Sequence, residues 1–396
     1  MKSSAAGAPA AVTTMRIALV IDHLDPRRGG AEQWTYQHAQ RLLARGHEVH
    51  VIARAVSGPA AELALLPHCF GPIRSVLGKA RAAQRELARL DLDVIHDMGT
   101  GWNGHLVQSE DGSRLAQWER KLLALPAWLR PYKRVMLGVL PRYRQFRTLM
   151  ARQFGDPARI VVAVSRMCAR DYQRYHGVPP ERIRLIYHGS DNQRFSPEHR
   201  RQWREPVRRR LGLGAEEMLL LFVGHDYLRK GLRTAVRAVE RLLAQGARVR
   251  LAVVGGKPQG RPPRLTDAQR AAVTLVGTVD DPVPYYAAAD AFVLPTFYDP
   301  CSLSVSEAAA SGLPSVTTRF NGAAELLTEG VDGFVLDDPA DDAALAEQLG
   351  RLLDADLRRR MGAAARQLAL RHGLDRNCDE ILAVYQEVAG QKRRAA

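Results

Sequence analysis

Two carboxylates, Asp299 and Glu307, stand with seven residues between them in FYDPCSLSVSEAAASGLP at 297–314. Two cations, Arg229 and Lys230, stand side by side upstream in VGHDYLRKG at 223–231. Each signal alone is weak. A chain with 42 acidic residues supplies about four such acid pairs by chance, and an Arg-Lys dipeptide in a basic chain is usually solvated. Taken together they fit one ligand. A carboxylate accepts two hydrogen bonds from vicinal hydroxyls such as those of a ribose, which suits Glu307. Adjacent cations suit a diphosphate whose charge grows as it leaves. SVSEAAASG reads as a helix start, with Ser302 or Ser304 as its cap, and its free N–H groups form an anion site. Asp299, delivered just ahead of that helix, then meets the other end of a sugar nucleotide.

These groups need elements to hold them. MRIALVID at 15–22 is a near-continuous apolar run, as expected of a strand buried on both faces of a parallel sheet. A turn with Gly29 and Gly30, a helical pattern ending at Gly46 and the strand HEVHVIAR complete a βαβ unit. The turn is not GxGxxG, so a dinucleotide fingerprint is not supported. DVIH at 93–96 is a further strand, and His96 lies near its ligand-facing end, read either as a core histidine or as a site residue. EMLLLFVGHDYLRKGLRTAVRAVERLLAQG restarts the βα alternation, and RVRLAVVGG, VTLVGTV and DAFVLPTFYD are its later strands. Two doubly wound α/β domains are therefore expected, with the ligand in the cleft between them. The limits read as a disordered lead-in at 1–14, a first domain at 15–190, a charged linker at 191–210, a second domain at 211–375, and a last helix with a basic tail at 376–396.

The motifs together resemble the retaining glycosyltransferases of the GT-B fold, family 4 type. They are GGAE at 29–32, HGSD at 188–191, VGHDYLRKG at 223–231 and VGTVDDPVPYYAAADAFVLPT at 276–296. The acid pair, EAAASGLPSVTT at 307–318, NGAAELL at 321–327 and RMGAAARQLAL at 360–370 also match. The resemblance implies two Rossmann-like domains facing across a cleft, the acceptor held by the first, a last helix crossing back to the first domain, and a hexose donor such as UDP-glucose held mostly by the second domain. It implies Arg229 and Lys230 on the diphosphate, Glu307 on the ribose and Asp299 near the transferred sugar. Ser302, Leu303 and Ser304 join the donor site. Gly224 joins it too, Gly277 meets the base, and Gly29 and Gly30 let the first-domain loop approach the phosphate. The first acid is Asp where the family has Glu. Met98 stands where a second His is common. No DxD motif follows an apolar strand, and Asp280-Asp281 reads as a cap, so the expected transfer needs no metal and no cofactor.

Bulk properties bear on the acceptor. The chain has 396 residues and 46% hydrophobic residues, enough for two cores, and no apolar run long enough to span a bilayer. Cys69, Cys168, Cys301 and Cys378 lack metal or CxxC spacing and are expected as free thiols. The first residues lack the apolar core of a signal peptide. A net charge of +15 asks for a polyanionic partner. Residues 114–152 hold a single acid, Glu119, among many Arg and Lys residues and interleaved aromatics. Trp118, Trp128, Arg130, Tyr132, Lys133, Arg134, Arg142 and Arg144 are read as a surface for an anionic membrane; a solvated helix face is the plainer reading. QSEDGSR and the 223–240 stretch look like lipopolysaccharide core glucosyltransferases, which implies a phosphorylated glycolipid acceptor, His96 and Asp111 as acceptor-side candidates, and a cytoplasmic enzyme peripheral on the inner membrane face. The alternatives are a soluble acceptor or a nucleotide-sugar epimerase of the same fold. Nucleic acid binding has no helix-turn-helix or zinc signature and leaves the acids unexplained.

Overall fold

A computed structural model describes residues 14–214, 216–256 and 265–395, so most of the expected lead-in, residues 1–13, lies outside the described residues. The described strands form two all-parallel sheets. The first holds β1 (Arg16–Val20), β2 (Glu48–Ala53), β3 (Leu66–Cys69), β4 (Val94–Asp97), β5 (Leu106–Val107), β6 (Ile160–Ala163) and β7 (Ile183–Leu185), in the order β3-β2-β1-β4-β5-β6-β7. The second holds β8 (Met218–Val223), β9 (Val249–Val254), β10 (Val273–Gly277), β11 (Ala291–Leu294), β12 (Ser315–Thr318) and β13 (Gly333–Leu336), in the order β10-β9-β8-β11-β12-β13.

Register explains the apolar runs. Ile17 of β1 pairs with Val49 on one side and Val94 on the other, and Leu220 of β8 pairs with Leu251 and Ala291. Helices cover both faces, so successive residues on either side of the pleat are buried. Each sheet reverses its strand order once, between β1 and β4 and between β8 and β11. Such switch points open a crevice beyond the strands' C-terminal ends.

Two segments differ from the expected linker and tail. Residues 200–210 form a helix, Arg200–Arg210, pinned to the second domain: Arg204 and Arg208 donate to the two carboxylate oxygens of Asp290 at 2.8 and 3.0 Å. The charge run thus serves a buried carboxylate. The last helix, Leu374–Ala395, extends through most of the basic tail. It returns to the first domain, where Cys378, Ile381 and Tyr385 share a core with Ile17, Trp34 and Leu42. Among the described residues no helix is long and apolar enough to cross a membrane.

Candidate functional site

A cavity of about 760 Å³ opens between the two sheets. It is lined by the segments after β1, β2, β4, β5 and β7 from the first domain and those after β8, β9, β10 and β11 from the second. Asp299, Lys230, Arg229, Glu307, Ser302, Leu303, Ser304, Gly29, Gly30, Gly224 and Asp111 all line it. Residues from both domains therefore meet at the two switch points, the place that parallel-sheet topology favours for a ligand.

The loops after β8 and β11 are zipped together. Phe297 N–H donates to Arg229 O at 2.8 Å, and Thr296 Oγ1 donates to the same carbonyl at 3.0 Å. Gly231 permits this approach: its φ is 77°, and a Cβ there would lie 1.9 Å from Pro295 O. Arg229 Nη1 in turn donates to Tyr298 O at 2.8 Å. Lys230 Nζ donates to Asp299 Oδ2. Burial pushes the Lys230 ammonium's pKa down, and the adjacent Asp299 opposes that shift.

The helix Leu303–Ala310 starts where the β11 loop ends. Ser302 stands at its N-cap, but its hydroxyl meets Ser304 Oγ at 2.8 Å rather than capping the helix. The N–H groups of Leu303 and Ser304 find no acceptor among the described residues. Two donors at a helix N-terminus beside Lys230 make an anion site. One turn on, Glu307 Oε2 accepts from Tyr286 O–H at 2.7 Å. Burial pushes the Glu307 carboxyl's pKa up, against the Tyr286 hydrogen bond.

Two expected site residues fall elsewhere. His96 is fully buried and does not line the cavity. Its Nδ1 meets the Tyr385 hydroxyl at 2.7 Å, and its ring packs edge-on to Trp34 and His38. Burial lowers its pKa to about 3. The returning helix supplies Tyr385, so the core reading of His96 holds. Met98, two residues on, lines the cavity instead. Gly277 is also outside the lining, which passes through Thr278, Val279 and Asp280. Of the Asp280-Asp281 pair, Asp281 accepts from Val283 N–H at 3.2 Å one residue ahead of the N-cap, Pro282, of the helix Val283–Ala288, while Asp280 faces the cavity. Asp111 is paired with Arg114, which holds its carboxyl below the usual range.

The cavity also gathers residues to which the sequence reading assigned no role. Glu32 of GGAE lines it, its carboxyl's pKa raised by burial. His188 of HGSD faces Glu110, with Nε2 and Oε2 3.2 Å apart. Arg194 lines it too and pairs with Asp281 at 3.1 Å. The quoted motifs contained Glu32 and His188, yet a motif string does not say which of its side chains point inward.

The basic stretch is split into the helices Arg114–Leu123, Arg130–Val139 and Pro141–Gly155. Arg130–Val139 has no buried residue. Trp128 (79% exposed), Tyr132 (57%), Val135 (60%) and Val139 (58%) fall at helical spacing along one stripe. Lys133, Arg134, Arg142 and Arg144 are exposed beside it. Two expected surface residues are otherwise engaged. Trp118 packs edge-on against Tyr143, with ring centroids 4.9 Å apart. Arg130 donates to Leu125 O and Leu123 O, both at 3.0 Å, and closes the end of the preceding helix. All four cysteines are free, and burial pushes the Cys301 thiol's pKa up to about 12.

Residues 28–194 match the family described as Glycosyltransferase Family 4, and residues 217–355 match Glycosyl transferases group 1. A D-inositol 3-phosphate glycosyltransferase of Thermomonospora curvata is 30% identical over 413 residues, which cover 93% of this chain and 95% of that protein. Among solved structures, WaaG, a glycosyltransferase involved in lipopolysaccharide biosynthesis, is similar with a TM-score of 0.76 at 22% identity, covering 94% of this chain and 100% of that one. HepE of Anabaena in complex with UDP-glucose is similar with a TM-score of 0.71 at 18% identity, covering 94% and 100%.

Proposed function

Because the chain belongs to the GT-B glycosyltransferases of the family 4 and group 1 type, we propose that it is a retaining hexosyltransferase. Its donor is a nucleoside diphosphate hexose, UDP-glucose favoured, and its acceptor a phosphorylated glycolipid such as a lipopolysaccharide core. The enzyme works on the cytoplasmic side, peripheral on the inner face of the membrane. The observation that carries this reading is the convergence of Lys230, Arg229, Glu307 and the open N-terminus of Leu303–Ala310 on one cavity.

The donor's diphosphate would take the Leu303 and Ser304 N–H groups and the two cations, with Glu307 on the ribose hydroxyls. As the glycosidic bond breaks, negative charge gathers on the diphosphate, and contacts that tighten there lower the barrier. The diphosphate competes with Asp299 for Lys230. Asp299 is thereby released toward the anomeric carbon, where positive charge develops. Cations placed this way can do the neutralising work of a metal ion. The exposed stripe of Trp128 and Tyr132, flanked by cations, supports a membrane-borne acceptor.

A second reading has its own support: the relatives are named as D-inositol 3-phosphate glycosyltransferases. On that reading the acceptor is a soluble phosphorylated polyol. One assay separates the two. Nucleotide release is measured over a panel of nucleotide sugars with glycolipid vesicles, with inositol 3-phosphate, or with neither, each with and without EDTA. The glycolipid reading expects turnover only with vesicles and expects it to survive chelation. Turnover with inositol 3-phosphate alone selects the soluble acceptor. Turnover with no acceptor points to an epimerase or hydrolase.

A further inference from the structure

The stretch NGAAELL at 321–327 lies outside the cavity lining, yet it grips the loop that carries Asp299. Asp299 N–H donates to Phe320 O at 2.9 Å, Gly322 N–H donates to Asp299 O at 2.8 Å, and Ser302 N–H donates to Asn321 Oδ1 at 3.2 Å. The approach is so close that a Cβ on Gly322 would lie 1.8 Å from Pro300 O and 2.5 Å from Ser165 Oγ of the first domain. Three residues further on, the Glu325 carboxylate crosses to that domain. It accepts from Arg166 N–H and Met167 N–H, both at 2.7 Å, and from Tyr187 O–H at 2.8 Å.

Arg166 and Met167 open the helix Arg166–His176, and its third donor, Cys168 N–H, goes to Ser165 Oγ at 3.1 Å. A second-domain carboxylate thus completes the cap of a first-domain helix. That N-terminus carries about half a positive charge, so the contact is a charge-assisted pair of hydrogen bonds. Arg170 adds a further cation at 3.8 Å. Other contacts also join the domains here: Tyr298 O–H to Asp171 Oδ2 at 3.0 Å, and Lys121 to Asp226 at 2.6 Å.

We propose that Glu325 is a positioning residue. Through Asn321 and Gly322 it sets where Asp299 and the Leu303 helix stand relative to the first-domain half of the cleft. This rests on the reading that the donor binds the second domain and the acceptor the first. The groups assigned to the donor lie mainly on the second domain, so donor binding should not feel the loss of Glu325, whereas alignment of the two substrates should.

The test uses the full chain and Glu325→Ala, with Tyr187→Phe as a milder variant that removes one of the three donors. Three quantities are measured: UDP-glucose affinity by calorimetry, transfer kcat, and amide hydrogen exchange at residues 166–170. The expected result for Glu325→Ala is unchanged donor affinity, a transfer kcat lowered about 100-fold, as a misplacement of about 1 Å produces, and faster exchange at Arg166 and Met167. Tyr187→Phe should show the same pattern in smaller degree. Unchanged kcat in both variants overturns the proposal. So does a fall in donor affinity that matches the fall in kcat, because it marks damage to the donor site itself. If the unsubstituted enzyme binds no nucleotide sugar, the donor reading fails on its own. The exchange rates then decide the clamp, and unchanged exchange in Glu325→Ala overturns it.

Discussion

Lys230 Nζ and Asp299 Oδ2, from residues 69 positions apart in the chain, form an ion pair in the wall of the interdomain cavity. Both side chains are nearly buried, 12% and 8% exposed. Each offsets the other's loss of hydration, and neither is comfortable alone. A diphosphate entering beside Lys230 offers it a stronger counter-ion. The pair is therefore a resting state that the donor is expected to open.

Lys230→Ala removes the cation proposed to neutralise the leaving diphosphate. Transfer kcat should fall about 100-fold or more, as when an electrostatic donor is lost from a transition state. Stopped or steady-state nucleotide release measures it, with circular dichroism to establish that the variant is folded. An unchanged kcat in folded protein removes Lys230 from the mechanism.

Asp299→Asn should separate binding from turnover. The amide no longer competes for Lys230, so donor affinity should hold or improve, while kcat falls with the loss of the carboxylate near the anomeric carbon. Asp299→Glu should keep substantial activity, because the family carries Glu there. Parallel loss of affinity and turnover in Asp299→Asn would instead make Asp299 a binding residue.

Glu307 gives a pH dependence. Burial raises its carboxyl's pKa, so it holds its proton to a higher pH than an exposed Glu. The proposed ribose contact needs the carboxylate as acceptor. Donor KM should therefore rise as pH falls through that raised value, and Glu307→Gln should show a high KM that no longer varies over the same range. A wild-type KM that stays flat on acidification argues against the ribose role.

The His96–Tyr385 contact should matter to stability rather than catalysis. Tyr385→Phe leaves two buried imidazole nitrogens, His96 Nδ1 and His38 Nε2, without their shared hydroxyl partner, at about 1–3 kcal/mol for each group left unpaired, with donor KM unchanged. In the folded chain His96 has a pKa of about 3 against an ordinary 6.5. The unfolded chain therefore binds more protons between those values, and stability falls as pH drops from about 6.5 toward about 3, at up to about 1.4 kcal/mol per unit. His38, also held neutral by burial, acts in the same direction. Denaturant midpoints at pH 7 and 5 test this.

Membrane docking should follow the exposed stripe. On the membrane proposal, Trp128 and Tyr132 would anchor at headgroup level, and Lys133, Arg134, Arg142 and Arg144 would add about 1 kcal/mol each near an anionic leaflet. The protein should sediment with anionic but not zwitterionic vesicles, and less so in high salt. Changing those four cations to Gln together with Trp128→Ala should abolish sedimentation and leave donor affinity intact. Trp118→Ala should instead destabilise the fold, because its ring packs on Tyr143 and Phe146. Continued sedimentation of the combined variant would make the stripe an ordinary exposed helix face.

Much of the second-domain half of the cavity was legible in the sequence because it is local. Strands buried on both faces must be continuous apolar runs. The polar residues that follow such a strand fall at its C-terminal edge, and a helix starting there presents its N–H groups wherever the chain goes. That reasoning reaches Arg229, Lys230, Asp299, Ser302 and Glu307 without coordinates. What the sequence could not decide is which way a side chain points when its neighbour comes from far along the chain. The side chains of β4 alternate between faces. His96 and Met98 therefore share one face, which is covered by a helix whose Tyr385 is 289 positions away; His96 lies within the strand and became core, whereas Met98 lies past its end at Asp97 and lines the cavity. The same holds for Trp118, drawn inward by Tyr143, and for Arg130, turned back to cap the helix before it. It holds most of all for Glu325, whose string NGAAELL says nothing of a partner helix 158 positions earlier. Periodicity and turn chemistry determine elements and their polar ends. The packing of one domain against the other, and of the last helix onto the first domain, decides which of those polar groups meet.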